Sequence, residues 1–413
     1  MKLYHLADLH LGKTIYGTSM LEDQRDWIDK FLTLCREEQP DAVLAAGDIY
    51  DRSAPSGEAV VLLDHMLTEL ADLQIPVLLI AGNHDSGQRL SFGHSLFSKQ
   101  NIHIAGTVRR ELEHVVFQDP DGDGPVVIWM LPYVFPEQVS MILEDDKVHT
   151  YEDAVRTLIS LQDIDPAVRN VIVSHQNVTA DGKEAQRGGS ETMVGGLGQV
   201  DHSVYDLFDY VALGHIHSAY PVGRAQIRYA GTPLCYHFAE TRQKDKGVTE
   251  VILPAKGEAV QIRQIPIEPL HRMRRYEGTK EEVYAQLLKE TGRNEYVGIT
   301  LTDQRITPEI SAYISSLLEA RECLKMELVS SYSAFSGSAS ELEREKVQDM
   351  PLEDLFASFY EEMRGGTPPD EEEYELLQYI GELTRHADLS EPVSQKDLQQ
   401  ILDHAGKIGG DRS

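Results

Sequence analysis

The sequence predicts an α/β fold, and three observations carry that prediction. Short apolar runs rich in β-branched residues alternate with helical stretches from residue 1 to about residue 269. Polar or glycine-containing turns close most of these runs. At 413 residues, 41% of them hydrophobic, the chain is long enough for two or three domains and a substantial core.

The strand candidates are 42–46, 77–81, 126–131, 171–174 and 210–213, with helices at 22–38 and 58–73 among the stretches between them. After Gly223 the runs 227–230, 247–253 and 260–265 read as antiparallel strands and hairpins. A second unit spans 270–330: helix 280–290, strand 296–302, helix 308–320 and strand 324–330, a small α+β module. Residues 331–340, rich in Ser, Gly and Ala, form a linker. An acidic helical tail follows over 341–413, with helices at 351–363 and 370–385 separated by Gly365-Gly366-Thr367-Pro368-Pro369. Its apolar stripe, Leu352, Leu355, Phe356 and Phe359, suits docking on a partner's groove or coiled coil.

Composition narrows the setting. No apolar run is long enough for a membrane span, and the N-terminus lacks a signal-peptide core, so a cytoplasmic protein is expected. Cys35, Cys235 and Cys323 are far apart, which argues against a disulfide framework or zinc ribbon. The formal net charge of −30 repels a phosphate backbone. A nucleic-acid ligand would need metals, a local basic face or a partner to attract it.

Five motifs fall where a strand gives way to a loop: Asp8-Leu9-His10, Gly47-Asp48-Ile49-Tyr50-Asp51, Gly82-Asn83-His84-Asp85, Ser174-His175 and Gly214-His215-Ile216-His217. Carboxylates, imidazoles and an amide oxygen are the ligands a water-activating divalent metal needs. Two such ions about 3.5–4 Å apart can clamp a phosphate, and open α/β sheets place such sites at the carboxyl ends of strands. The glycines at 47, 82 and 214 permit tight turns. Alternation along an extended segment would let Asp8 and His10, and likewise His215 and His217, face metal. One such motif is weak evidence; five in this order are hard to produce by chance.

The set Asp-x-His, Gly-Asp-x-x-Asp, Gly-Asn-His-Asp, a lone His and Gly-His-x-His resembles the calcineurin-like metallophosphoesterase signature. The stretches His5-Leu6-Ala7-Asp8-Leu9-His10-Leu11-Gly12, 209–217 and Ala230-Gly231-Thr232-Pro233-Leu234 resemble the SbcD family of bacterial nuclease subunits, related to the double-strand-break repair nucleases. The resemblance covers most of the first 275 residues and continues weakly through the α+β module. It implies a metallophosphoesterase β-sandwich flanked by helices over 1–269, a capping, DNA-recognition domain over 270–330, and docking of the tail on an SbcC-type coiled-coil ATPase.

It also implies roles. Asp8 and His10 would hold one metal with His217; Asp48 would bridge; Asn83, His175 and His215 would hold the second. The ions would be Mn²⁺, with Mg²⁺ as the other candidate. His84 would be the catalytic acid or a transition-state donor rather than a ligand, and Asp51 and Asp85 would orient imidazoles. The activity implied is 3′–5′ exonuclease on duplex DNA and endonuclease on single strands or hairpins, in a homodimer within a heterotetramer. Position 237 departs from the family: His237 stands where a small polar residue is usual, and a local structural role is expected for it. Arg224, Arg228, Arg272, Arg274 and Arg275, with Arg242, Lys244 and Lys246 nearby, are the DNA-contact candidates, and Gly188-Gly189-Ser190-Glu191 is a candidate loop over the site. The competing readings are a phosphatase or cyclic-nucleotide phosphodiesterase on the same metal core, and a scaffold with a vestigial site.

Overall fold

The structure is a computed structural model that describes residues 1–118, 124–145, 147–180, 198–243 and 246–332. The tail over 341–413 with its docking stripe, most of the linker, the 188–191 loop and Lys244 lie outside the described residues. Residues Met1–Tyr332 form one compact unit.

Two six-stranded sheets pack face to face. The first runs, edge to edge, Gln261–Pro266, Gly247–Ile252, Lys2–Leu6, Ala42–Ala46, Val77–Ile80 and Ile102–Ala105. Its last four strands are parallel, and the hairpin of Gly247–Ile252 and Gln261–Pro266 is antiparallel, as the sequence predicts. The second sheet runs Pro221–Val222, Arg224–Tyr229, Tyr210–Gly214, Arg169–His175, Pro125–Leu131 and Glu113–Gln118. Here the expectation of antiparallel pairing after Gly223 needs correction. Arg224–Tyr229 pairs parallel with Tyr210–Gly214 and meets only the short Pro221–Val222 antiparallel. A chain that leaves the sheet edge and returns beside the strand it left produces that register, which local residue pattern does not encode.

Side-chain alternation sorts the strands into layers. Leu3, Ala42, Leu44, Leu78 and Ile80 of the first sheet meet Ile128, Met130, Val171, Val173 and Tyr210 of the second in the central core. Tyr4, Leu6, Val43, Ala45 and Leu79 face outward onto Trp27, Phe31, Leu62 and Met66 of helices Leu21–Glu38 and Gly57–Asp72. Trp129, Ile172, Val211 and Leu213 face the other way, against Val155, Leu158 and Ile159 of helix Tyr151–Ser160. The result is a β-sandwich flanked by helices.

The α+β module adds a three-stranded parallel sheet, Met273–Gly278, Tyr296–Leu301 and Leu324–Ser330, with helices Lys280–Lys289 and Pro308–Glu319 and its own core of Val283, Val297, Ile299, Ile314 and Leu318. The strand Met273–Gly278 escapes pattern reading because Arg274, Arg275 and Glu277 interrupt it and only Tyr276 is buried. Asp23 ties the module to the sandwich. Its carboxylate accepts from the Tyr296 hydroxyl at 2.7 Å and faces His271 Nδ1 at 3.0 Å.

Candidate metal centre

Each motif lies at or just beyond the carboxyl end of a strand, and the parallel strands of both sheets deliver those ends to one edge of the sandwich. Backbone bonds then pin the loops together. Asp8 N–H donates to the Gly47 carbonyl at 3.0 Å, His10 N–H to the Asp48 carbonyl at 2.9 Å, and His215 N–H to Asp8 Oδ1 at 3.0 Å. The turns are tighter than extended alternation would give. Asp8, His10, Asp48 and His215 have φ of 54°, 45°, 48° and 98°. The expected alternation is thereby corrected: left-handed turns, not a strand, aim these side chains. Such φ values cost free energy and persist where surrounding bonds over-determine them. Gly47, at φ +82°, supplies a turn that an L-residue adopts poorly. Gly82 is needed for space instead, since a Cβ there would lie 2.2 Å from Asp48 Oδ1.

The expected ligands converge. Ligand atoms of Asp8, His10 and His217 lie within 4.8 Å of one another, as do those of Asp8, Asp48 and His175. Asp48 thus belongs with both halves, facing His10 Nε2 at 3.7 Å and His175 Nε2 at 3.4 Å. Asn83 Oδ1 faces His175 Nε2 at 3.1 Å and His215 Nδ1 at 3.0 Å. His175 Nδ1 donates to the Ala46 carbonyl at 2.7 Å, which turns Nε2 toward Asn83 Oδ1 and Asp48 Oδ2. His10 and His217 present their Nε2 atoms to each other at 3.2 Å. Ring nitrogens, carboxylate oxygens and an amide oxygen thus crowd into one buried pocket. This donor set of carboxylate, amide and imidazole therefore fits divalent metal.

Charge follows the same geometry. Burial pushes the Asp8 carboxyl up to about 7, against the pull of His175 and His217. Burial also acts on Asp48, but His175, His10 and His84 outweigh it and hold this carboxyl well below the usual range. Burial would lower His175, yet Asp48 and Asp8 raise it to about 9. Burial drives His10 well below the ordinary imidazole value. A dication would favour the ionised carboxylates and neutral imidazoles, making the pocket's protons unnecessary.

The other expected residues sort differently. His84 reaches the same cluster: one of its ring nitrogens lies within 4.8 Å of ligand atoms of His10 and Asp48. Its Nδ1 lies 2.9 Å from the Asp51 carbonyl, and its N–H donates to Asp48 Oδ1 at 2.9 Å. Asp51 sits 3.6 Å from His10 Nδ1, beyond hydrogen-bond reach, and pairs instead with Lys13 at 2.7 Å. Asp85 orients no imidazole, which corrects its expected role. Its carboxylate accepts from the backbone N–H groups of Ile49, Tyr50 and Gly82 at 2.9–3.0 Å, locking the Asp48 loop to the Asn83 loop. His237 caps a short turn by accepting from Ala239 N–H, the local role expected of it.

The arginine candidates are largely committed to the fold. Arg224 donates to the carbonyls of Tyr205 and Phe208, and Arg274 pairs with Glu295 and Glu290. Arg272 pairs with Glu268, and Arg275 with Glu277. Arg228 is partly buried on the strand Arg224–Tyr229. Lys246 points inward at Glu240 Oε2, 2.8 Å away.

Sequence reading missed Glu240. It is 2% exposed, and its Oε1 faces His217 Nδ1 at 3.2 Å. The Thr232 hydroxyl and Tyr236 N–H donate to its Oε2, beside the Lys246 contact. Burial opposes its ionisation, but Lys246 and His217 hold it far below the usual carboxylate range. A lone glutamate in a short turn carries no sequence signal; only its place behind His217 reveals it.

Fold and site together define a metallophosphoesterase, and the chain belongs to the calcineurin-like phosphoesterase family, whose family model matches residues 1–219. Within that family it is an SbcD-type member. It is 32% identical over 306 residues to the D subunit of the SbcCD nuclease of Staphylococcus epidermidis, spanning 73% of this chain and 79% of that protein. A second family model, the type 5 capsule protein repressor C-terminal domain, matches residues 269–364. Similar solved structures include a Thermus thermophilus protein, at 11% identity over 64% of this chain and 98% of that one, TM-score 0.36. Another is a dimetal phosphatase from Danio rerio, at 15% identity over 65% and 98%, TM-score 0.37. Among the described residues no helix is long and apolar enough to cross a membrane.

Proposed function

We propose that this phosphoesterase is a DNA nuclease subunit, a 3′–5′ exonuclease on duplex ends and an endonuclease on single strands or hairpins, working with an SbcC-type ATPase. The observation that carries the proposal is the convergence of Asp8, His10, Asp48, Asn83, His175, His215 and His217 at one sandwich edge, in a chain similar to the D subunit of the SbcCD nuclease. Asp8, His10 and His217 would hold one ion, Asn83, His175 and His215 the other, with Asp48 shared between them. Mn²⁺ suits these mixed nitrogen and oxygen donors. Two divalent ions held there supply charge neutralisation at phosphoryl oxygens and acidify water to a usable nucleophile near neutral pH.

The chain's own residues do the rest. Glu240 and the Ala46 carbonyl set the His217 and His175 rings so that Nε2 faces inward. With Nδ1 engaged by the Asp51 carbonyl, His84 keeps Nε2 for the substrate, where a protonated ring can donate to the departing ester oxygen.

A homodimer is favoured by a set of exposed apolar side chains. Val60 and Val61 on helix Gly57–Asp72 are 44% and 59% exposed, and Phe92 and Leu96 are 82% and 67% exposed. Arg89 Nη1 donates to the Ser53 carbonyl at 2.8 Å, linking the loop before that helix to the short helix before Phe92. Such side chains are material for an interface between two copies of the chain. The ATPase partner, rather than a second copy, would answer the charge of −30, because it can supply the basic surface that DNA requires.

The test is purified full-length chain with Mn²⁺, given labelled hairpin DNA and, separately, a small chromogenic phosphodiester, with and without the ATPase. Hairpin cleavage that the ATPase stimulates is expected. Hydrolysis of the small ester alone would return the protein to a small-molecule phosphodiesterase.

A further inference from the structure

Beside the metal ligands lies a cavity of about 350 Å³ that the proposed chemistry leaves unused. Asn83 forms one wall, and Tyr133 and Phe135 form another. The Tyr133 N–H donates to the Ala81 carbonyl at 2.9 Å, fixing this loop next to the Asn83 loop. The Tyr133 ring centroid lies 6.1 Å from those of both His175 and His215. Phe135 packs edge-on against Tyr133 at 5.0 Å and is nonetheless 48% exposed. A half-open aromatic ring at the rim of a site offers its face to a planar ligand.

The chemistry of the lining narrows what that is. It includes no Lys, Arg or His, so nothing there attracts a phosphate. Its one acid, Asp85, is saturated by the N–H groups of Ile49, Tyr50 and Gly82. What remains are two aromatic faces, the amides of Gln88 and Gln138, and small hydroxyls such as Thr107. Aromatic faces with amide and hydroxyl groups at the edge are the means by which proteins hold an extruded or unpaired nucleobase.

We propose that this cavity is a nucleobase subsite, in which the base of the nucleotide at the cleavage position stacks on Phe135 and meets Tyr133 edge-on. The inference rests on the nuclease reading and adds to it a demand on the substrate. A base seated there has left its own stack, so frayed ends, single strands and hairpin loops are the competent forms. Phosphate position is set by the metal ligands and base position by the aromatic wall.

The experiment compares two single-stranded oligonucleotides of one sequence, one intact and one abasic at the cleaved nucleotide, with Mn²⁺ and full-length chain. A third oligonucleotide carries 2-aminopurine at that position, and its fluorescence reports stacking without turnover. The parent should prefer the intact strand by about 5- to 150-fold, the span of base–aromatic stacking, and should quench the probe. Phe135→Ala should erase both preference and quenching, and Phe135→Trp should restore both. A parent that cleaves intact and abasic strands equally, or a Phe135→Ala variant that keeps the parent's preference and quenching, overturns the inference and leaves the nuclease reading standing. A parent that cleaves neither strand removes both.

Discussion

Glu240 touches no ligand-binding face of the centre, yet it fixes one of its ligands. It holds His217 from behind while Lys246 and Thr232 hold it in turn. Glu240→Gln keeps the shape but removes the charge that raises the basicity of the ring. Mn²⁺ affinity should fall about 10- to 100-fold, measured by titration calorimetry. An unchanged affinity would mean the contact is packing alone. His84 lies on the other side of the same chemistry. His84→Gln should retain bound Mn²⁺ while kcat falls about 100- to 10,000-fold, because proton delivery to the leaving oxygen is lost. Stoichiometry measured beside kcat separates this from ligand loss, and a variant that loses metal would make His84 a ligand. At this scale the sequence was informative for each ligand, because a ligand-type residue after a strand is a local pattern. It was silent on Glu240 and misread Lys246 and Arg224 as surface cations, because inward or outward aim depends on neighbours distant in sequence.

Strand ends do the positioning, and their tolerance for change is small. The Asn83 loop passes so near the Asp48 carboxylate that Gly82→Ala must displace one of them. Mn²⁺-dependent hydrolysis should fall at least tenfold, by the sensitivity of a reaction to misplaced groups. Activity equal to the parent's would show that the loops have slack. Within the sandwich, the strand Lys2–Leu6 points His5 into the central core, where its Nδ1 lies 2.9 Å from the Tyr210 hydroxyl of the opposite sheet. Burial depresses this imidazole from an ordinary 6.5 to about 3. Between those values the unfolded chain binds a proton that the folded chain refuses, so stability declines as pH falls from about 6.5 toward 3, with a slope of up to about 1.4 kcal/mol per pH unit. Denaturant unfolding of His5→Gln should show a shallower decline across that window. Equal slopes would assign the pH effect to other groups. Strand existence was legible element by element from apolar runs. Pairing was not, as Arg224–Tyr229 shows, because register is a choice between partners that the strand's own residues leave open.

For the whole molecule, the exposed apolar residues on helix Gly57–Asp72 and around Phe92 make a prediction about assembly. Phe92→Glu should shift the sedimentation mass from dimer toward monomer, since a carboxylate cannot enter an apolar interface without several kcal/mol of desolvation. A dimer that survives this change uses another surface. The net charge of −30 bears on DNA binding at this scale. Among the described residues the arginines are mostly paired with carboxylates or carbonyls, so on the proposed function bound metal and a partner would supply attraction for DNA.

The sequence alone determined the class of chemistry and picked out the candidate ligands that the fold brings together, because metal binding demands particular atoms and those atoms follow readable strands. It also determined the α+β module and the α/β class, since amphipathic period is local. Tertiary structure decided what the sequence left open. Left-handed turns rather than extended segments aim Asp8 and His10; Asp85 bonds to backbone; Glu240 stands behind His217; and two aromatics open a cavity beside Asn83. Each of these depends on which groups meet after the sheets close, and proximity in space is a property of the packed chain.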